Sequence, residues 1–493
     1  MPAESGVRAP APEPPGYERR RPEETDLHRI LSAWLPPFLE RAETAGGLPA
    51  FVVDALESYL ECGVLEHGFA RIRCPVCQDD LLVGFSCGGR GLCPSCCGRR
   101  MADCAAHLVD RVIPRVPVRQ WVLTLPFALR PMLAFDAQLA SEVGARFVQT
   151  VGAFYEAEAR RHGRHADTPV RFGAVTAQQR AGSALNLNLH YHSLLLDGVY
   201  HRRNPDGPVV FRAQPELTDD QVRGVLHTFR HALAKLLNHR GLADEPSGDS
   251  DHDMPPSAME QLTFLAVRTP TGTSDRPRRD PSSRSKPLCI SEDGFTLHAN
   301  TRVARHRRTE LEVLCKYITR PAVSIDQVRW RDDGLVGWRL KRPWSDGTTE
   351  LCFEPLSFLG RLATLIPAPY SNQLVYHGVL APAAKWRPEV VSDAARASHR
   401  SRRAEAPSPC AELPVSDDPD QTRPRKLSWA QLMWRSLGLD VLTCARCGNP
   451  RQVVALIRDP GSIRDILGHL GLLGQKKGPS APRGPPQLHL DLP

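Results

Sequence analysis

Eight of the fourteen cysteines in this 493-residue chain lie between Cys62 and Cys104. So many thiols in so short a stretch must be used for metal, for disulfides or as buried small hydrophobes. The N-terminal MPAESGVRAPAPEPPGYERRRPEE has no apolar signal region, and no run of about 18 apolar residues occurs, so an unsecreted chain with no membrane partner is expected. In such a chain clustered cysteines read as metal ligands. Cys74-x2-Cys77 and Cys93-x2-Cys96 stand fifteen residues apart, the spacing of a two-knuckle zinc ribbon in which a hairpin brings two thiolate pairs together. A structural zinc on Cys74, Cys77, Cys93 and Cys96 is therefore expected. Cys62, His67, Cys87, Cys97, Cys104 and His107 are surplus and either hold a second ion or are buried groups. Arg71, Arg73, Arg90, Arg99 and Arg100 interleave with these ligands, suiting either phosphate contact or a solvated rim.

Residues 1–26 are proline-rich and charged and read as a disordered tail. Helical periodicity begins near Leu27 and is expected to break at Pro36-Pro37. A second helix spans roughly 49–62, so residues 27–110 form a helical and zinc-binding unit. From 112 to 385 strand and helix signals mix: a strand near 119–125, a helix over about 131–161, a strand at 170–180 and a helix at 219–238. Residues 243–286 read as a disordered insertion, and the DDG and SDG turns of 328–355 mark a β-meander before a helix at 355–365. A linker covers 386–426, a small C-terminal unit carries Cys444-x2-Cys447-Gly over 427–475, and the tail 476–493 reads as disordered. Cys444 and Cys447 make half a zinc site, for which His469 is the one obvious local complement. The fold expected is α+β, with a central antiparallel sheet and flanking helices. The formal charge of +8 is mild for this length, so basic surface must be local.

Within the central unit, NLNLHYHSLLLDGVY (186–200) reads as a strand. Asn186, Asn188, His190 and His192 then share one face, and Leu187, Leu189 and Tyr191 pack behind. Two histidines at this spacing can share one metal ion or can be ordinary hydrogen-bonded residues. The preceding strand, joined through Ala181-Gly182-Ser183, would pair with it and bring the Gln179 amide oxygen toward such an ion. Further on, Arg302, Arg305, His306, Arg307 and Arg308 precede a helix whose apolar face carries Leu311, Leu314, Cys315 and Ile318; Tyr317 lies off that face.

Taken together, the cysteine ribbon, RVPVRQWVLTLPFALR, the His-x-His strand, LEVLCKYITRP, LKRPWSDGTT and YHGVLAP resemble the rolling-circle insertion-sequence transposases, which are tyrosine-nucleophile HUH endonucleases with an N-terminal zinc-binding domain. The resemblance spans roughly 30–385 and more weakly 428–473. It implies an HUH-type catalytic domain at 112–385, a divalent cation (Mg or Mn) on His190 and His192, and Tyr317 as the nucleophile forming a 5′-phosphotyrosine. Gln179 is the expected third ligand, with Glu312 and His306 as alternatives. A phenol has a pKa of about 10, so ionising it needs help from the ion and from cations such as Arg320 and His306. The partners implied are single-stranded or hairpin element ends and target DNA, contacted by the zinc domain and the 302–308 cluster, in a bacterial cytoplasmic, nucleoid-associated setting. Relatives with a second tyrosine carry it one turn away; Val313 and Pro321 stand there, so strand transfer would need alternating 3′-hydroxyl attack or a second subunit of a homo-oligomer. A replication initiator or relaxase with the same chemistry, and a catalytically inactive zinc-dependent DNA-binding protein, are the competing readings. A hydrolase using His-x-His alone lacks an accompanying glutamate base.

Overall fold

The computed structural model describes residues 19–162, 168–202, 204, 207–242, 257–267, 287–391, 427–437 and 439–473. The class is α+β and the strand pairings are antiparallel. The largest sheet runs in the order Leu374–Gly378, Gly173–Ala181, Leu187–Leu196, Val118–Thr124, Phe295–His298 and Cys289–Glu292, with Arg302–Val303 added alongside Val118–Thr124. Strand alternation gives this sheet two unlike faces. Trp121, Leu123, Tyr191 and Leu195 point to one side, where the helices Ala137–Arg161 and Asp219–His239 bury them with Phe147, Val151 and Phe229. Leu194, Leu196, Val175 and Ala177 point to the other, under Pro94–His107, the π-helical turn Leu108–Val112 and the helix Arg308–Ile318.

The histidine strand ends at Asp197, whose side chain is wholly buried. Arg119 Nε donates to its Oδ1 at 2.9 Å, the Tyr155 hydroxyl donates to the same oxygen at 3.1 Å, and Arg302 Nε donates to Oδ2 at 2.5 Å. Arg302 therefore ties strands together through Asp197 while its side chain stays partly exposed at the surface. Asp197→Ala would leave Arg119 buried beside no carboxylate. A loss of about 3–5 kcal/mol is expected, read as a lower urea midpoint at unchanged secondary structure.

Local chemistry and packing moved several boundaries. The Asp136 side chain accepts from the Leu139 amide at 2.8 Å, so the expected helix at 131–161 is two, Leu129–Phe135 and Ala137–Arg161. Asp26–Glu43 instead runs unbroken through Pro36 and Pro37, because burial of Leu35 and Phe38 beside the prolines outweighs the missing amide donors. Part of the expected insertion is ordered: Ala258–Val267 packs on Pro355–Leu365, and Gly360 is where Leu262 sits, since a Cβ there would meet Leu262 Cδ2 at 2.7 Å. The short helix Arg387–Val390 occupies the start of the expected linker. At the N-terminus residues 19–26 are folded, with Arg20 donating to the Cys62 carbonyl at 2.8 Å. The rest of the expected tails, insertion and linker lies outside the described residues.

The C-terminal unit is not a separate body. Gln452–Ile457 pairs with Phe69–Arg73, which pairs in turn with Asp80–Gly84, so the ribbon sheet has its third strand from the far end of the chain. Helix Pro460–His469 seals it by burying Ile463 and Leu467 against Leu65, Phe69 and Leu82.

Candidate active site and metal centres

The thiols fall into two groups, and neither is the quartet that local spacing suggests. One is Cys62, Cys87, Cys93 and Cys96; the other is Cys74, Cys77, Cys444 and Cys447. In the first, Cys62 Sγ lies 3.5 Å from Cys93 Sγ and 3.6 Å from Cys96 Sγ, and Cys87 Sγ is 3.5 Å from Cys96 Sγ. In the second, Cys74–Cys447 and Cys77–Cys444 are 3.4 and 3.5 Å apart. Four sulfurs about 2.3 Å from a tetrahedral zinc have edges of about 3.8 Å, so both groups fit that ion. In the first group hydrogen bonds from Cys87, Cys93 and Cys96 hold the Cys62 thiol well below its ordinary pKa, and the bond to Cys62 holds Cys93 well above its own, so positive charge is needed beside the Cys62 thiolate. Arg20 Nη2, 3.5 Å from Cys62 Sγ, supplies part of that charge.

Backbone shape explains the regrouping. Cys74 and Cys77 form a true knuckle: the Gln78 amide donates to Cys74 O at 3.0 Å and Gln78 has φ 60°. Cys444 and Cys447 repeat it, with the Gly448 amide on Cys444 O at 2.8 Å and φ 73°. The two knuckles face each other. Cys93 and Cys96 instead open the helix Pro94–His107, and their complement is Cys62, at the end of helix Ala50–Glu61, with Cys87 from a loop. His67 is outside both groups, with its Nδ1 3.9 Å from Glu61, and so is His469. Arg71 and Arg73 both bind Asp80, at 2.6 and 2.8 Å, inside the ribbon hairpin.

On the large sheet the expected facing holds. His190 and His192 have ring centroids 4.9 Å apart, and Leu187, Leu189 and Tyr191 are buried behind them. Tyr317 is brought to this pair by its helix, whose Leu311, Leu314, Cys315 and Ile318 are buried on the same sheet face. Its half-buried ring meets His192 edge-on at 5.5 Å, and the Arg320 guanidinium carbon lies 4.5 Å from the ring centroid. Burial lowers His190 to about 4, assisted by Arg320 and Arg130 and opposed by its hydrogen bond to Asn188. Burial, His190, Arg320 and His298 hold His192 well below its ordinary value. Both imidazoles are thus neutral at pH 7, the form that binds metal.

Their ring partners set which nitrogen is free. His190 Nδ1 lies 2.7 Å from the Asn188 carbonyl, so it donates and Nε2 carries the lone pair. His192 Nδ1 lies 2.8 Å from Gln120 Nε2, which as placed donates to it. Turning that amide over exchanges its nitrogen and oxygen, sets the oxygen against an Nδ1–H and leaves the lone pair on Nε2, the form a metal needs. His192 Nε2 and Asn188 Oδ1 are buried with no hydrogen-bond partner among the described residues. The donor set and these partnerless atoms fit a divalent ion.

The third-ligand candidates divide. Gln179 pairs with His190 across the strands, as expected, but its Nε2 donates to the Tyr317 and Ile318 carbonyls at 3.1 and 2.8 Å, clamping the end of the tyrosine helix. Glu312 faces away from Tyr317, with its carboxylate held by Arg435 at 2.7 Å and Lys316 at 3.2 Å. His306 is exposed on the preceding loop. In the basic cluster Arg308 is internal, donating to the carbonyls of Pro114 at 3.1 Å and Ile113 at 2.9 Å, whereas Arg305, His306 and Arg307 stay on the surface. Sequence reasoning missed Gln120, Arg435 and Lys341. Partial desolvation and the Arg320 charge lower Lys341 to about 8, and neither Lys341 nor Arg320 has an ion-pair partner among the described residues. The LKRPW run was the available signal for Lys341.

No helix among the described residues is long and apolar enough to cross a membrane. No curated protein and no solved structure matches the chain. Two family models do: a transposase zinc-binding domain of the IS91 type (Zn_Tnp_IS91) over residues 30–125 and a family described as "Putative transposase" (Y2_Tnp) over residues 173–387. The chain resembles, in both matched regions and in their order, the IS91-type rolling-circle transposases with an N-terminal zinc-binding domain, and these matches support a transposase role.

Proposed function

We propose that the protein nicks and rejoins single-stranded DNA at the ends of a mobile element through a 5′-phosphotyrosine on Tyr317, in a domain of HUH-endonuclease type. The observation that carries this reading is the Tyr317 ring seated against His192, with Arg320 stacked on it. His190 and His192 would hold Mg²⁺ or Mn²⁺, and the amide oxygens of Gln179 and Asn188 are candidates to complete the set. When bound, that ion supplies positive charge to the non-bridging oxygens of the scissile phosphate.

The remaining work falls to the chain's own residues. Tyr317 Oη forms a bond to phosphorus as the bond from phosphorus to O3′ breaks. The phenol gives up its proton, the departing 3′-oxygen takes one, and the 5′-phosphate stays on tyrosine. A 3′-hydroxyl later reverses the step on another end, so no nucleotide cofactor is needed. Arg320 and Lys341, free of carboxylate partners among the described residues, suit a phosphate beside the nucleophile. The tyrosine lies on a helix packed on a sheet, so the strand must arrive unpaired to reach it. Arg305, His306 and Arg307 remain as candidate DNA contacts on the surface. The two four-thiol groups would each hold a structural zinc.

The test incubates the protein with end-labelled single strands from the termini of its own element, with Mn²⁺ or without a divalent ion. A denaturant-resistant adduct that needs the ion supports the reading; no adduct on any terminal strand overturns it. Gln120→Leu keeps the volume but removes the group orienting His192, so Mn²⁺ binding by calorimetry is expected to weaken about 10–100-fold. An unchanged affinity would show that Gln120 does not orient a ligand.

A further inference from the structure

The helix Trp429–Leu437 lies outside both matched regions and carries one side chain with an unusual position. Arg435 is 10% exposed and spans two carboxylates from distant parts of the chain. Its Nε and Nη2 bind Glu312 Oε1 and Oε2 at 3.2 and 2.7 Å, and its Nη1 and Nη2 bind Asp110, the latter at 3.3 Å. Glu312 is on the tyrosine helix; Asp110 is on the π-helical turn after the helix opened by Cys93 and Cys96. Lys316, one turn after Glu312, adds a bond at 3.2 Å. Bidentate guanidinium–carboxylate pairs that are largely out of water are strong and geometrically exacting.

The position of Arg435 is fixed from the other side. Cys444 follows Leu437 by seven residues, and it shares its thiol group with Cys74 and Cys77 while Arg451 binds Asp79 at 2.5 Å. The C-terminal segment is thus pinned to the ribbon just beyond the helix that grips Glu312. On the other side of the tyrosine helix, Gln179 clamps the carbonyls of Tyr317 and Ile318.

We infer that Arg435 is a positioning residue: through Glu312 it holds the tyrosine helix in register on the histidine face, and the thiol group shared by Cys74, Cys77, Cys444 and Cys447 delivers it there. This rests on Tyr317 being the nucleophile, but it has a readout of its own. The experiment measures amide hydrogen exchange and adduct formation in full-length wild type, Arg435→Ala, Arg435→Lys, Glu312→Gln and the double variant Cys444→Ser/Cys447→Ser. Exchange over 308–318 is expected to quicken about 10–100-fold in Arg435→Ala and Glu312→Gln, with 187–196 unchanged. The double cysteine variant should reproduce it, and Arg435→Lys, which keeps charge but cannot fork across both carboxylates, should fall between. Adduct formation should slow while affinity for the DNA strand stays put. Exchange over 308–318 at the wild-type rate in Arg435→Ala and Glu312→Gln overturns the inference, as does a wild-type rate in the cysteine variant for its metal arm. If wild type makes no adduct, the nucleophile assignment fails, and the exchange data still decide whether Arg435 holds this helix.

Discussion

Tyr317→Phe is expected to form no covalent adduct with DNA while folding and binding the strand as wild type does. The substitution removes one oxygen and keeps the ring. The edge-on contact with His192 and the Arg320 stacking therefore persist, and the helix is held by Leu311, Leu314, Cys315 and Ile318, which are untouched. What is lost is the atom proposed to bond to phosphorus, so the expected effect is complete rather than graded. His192→Ala should behave differently. The nucleophile survives there, but the seat for the ring and one neutral imidazole are gone, and the adduct rate is expected to fall on the order of a thousandfold, as for loss of several kcal/mol of charge stabilisation. Denaturing gels on a time course separate the two patterns. An adduct retained in Tyr317→Phe would move the nucleophile elsewhere and remove the basis for this site.

The second large effect concerns metal. The protein should contain two zinc ions per chain, one for each thiol group, and Cys444→Ser should reduce this toward one. The quartet suggested by spacing, Cys74, Cys77, Cys93 and Cys96, gives the opposite result: one zinc, indifferent to Cys444. Metal analysis of wild type, Cys444→Ser and Cys62→Ser distinguishes the arrangements directly. The consequence for stability should be large and local. Structural zinc in small modules contributes about 10–16 kcal/mol of apparent binding energy that is also folding energy. The ribbon sheet has few buried side chains, and its edge strand Gln452–Ile457 exposes Val453, Val454 and Leu456, so little else holds that strand in place. Cys444→Ser is expected to open residues 439–473 to limited proteolysis and to leave the large sheet, with its own buried core, intact. Protection of 439–473 equal to wild type would sink this expectation.

The histidine strand shows how far one local pattern reaches. Strict alternation from Asn186 to His192, with Leu187, Leu189 and Tyr191 between, fixes which side chains share a face whatever lies beside the strand, and the facing is as the pattern demands. Helix Pro355–Leu365 and the meander 328–353 were likewise legible, because their turn residues and apolar spacing act within a few residues. Arg308 shows the limit. A run of cations reads as surface, yet Arg308 turns inward and answers carbonyls near residue 113.

The sequence by itself determined the α+β class, the antiparallel sheet carrying His190 and His192, the tyrosine helix with its apolar face, and the presence of enough cysteines for two ions. Tertiary structure alone decided which thiols gather into one group and what holds the tyrosine helix. Cys77 and Cys444 stand 367 positions apart, and closing such a loop in a flexible chain costs about 5 kcal/mol, so their pairing waits for the intervening domain to fold and bring both knuckles together. The two knuckles carry matching left-handed residues, Gln78 and Gly448. The fifteen-residue spacing between Cys77 and Cys93 was misleading because Cys93 begins a helix, and a helix start presents its thiols to Cys62 and Cys87 instead.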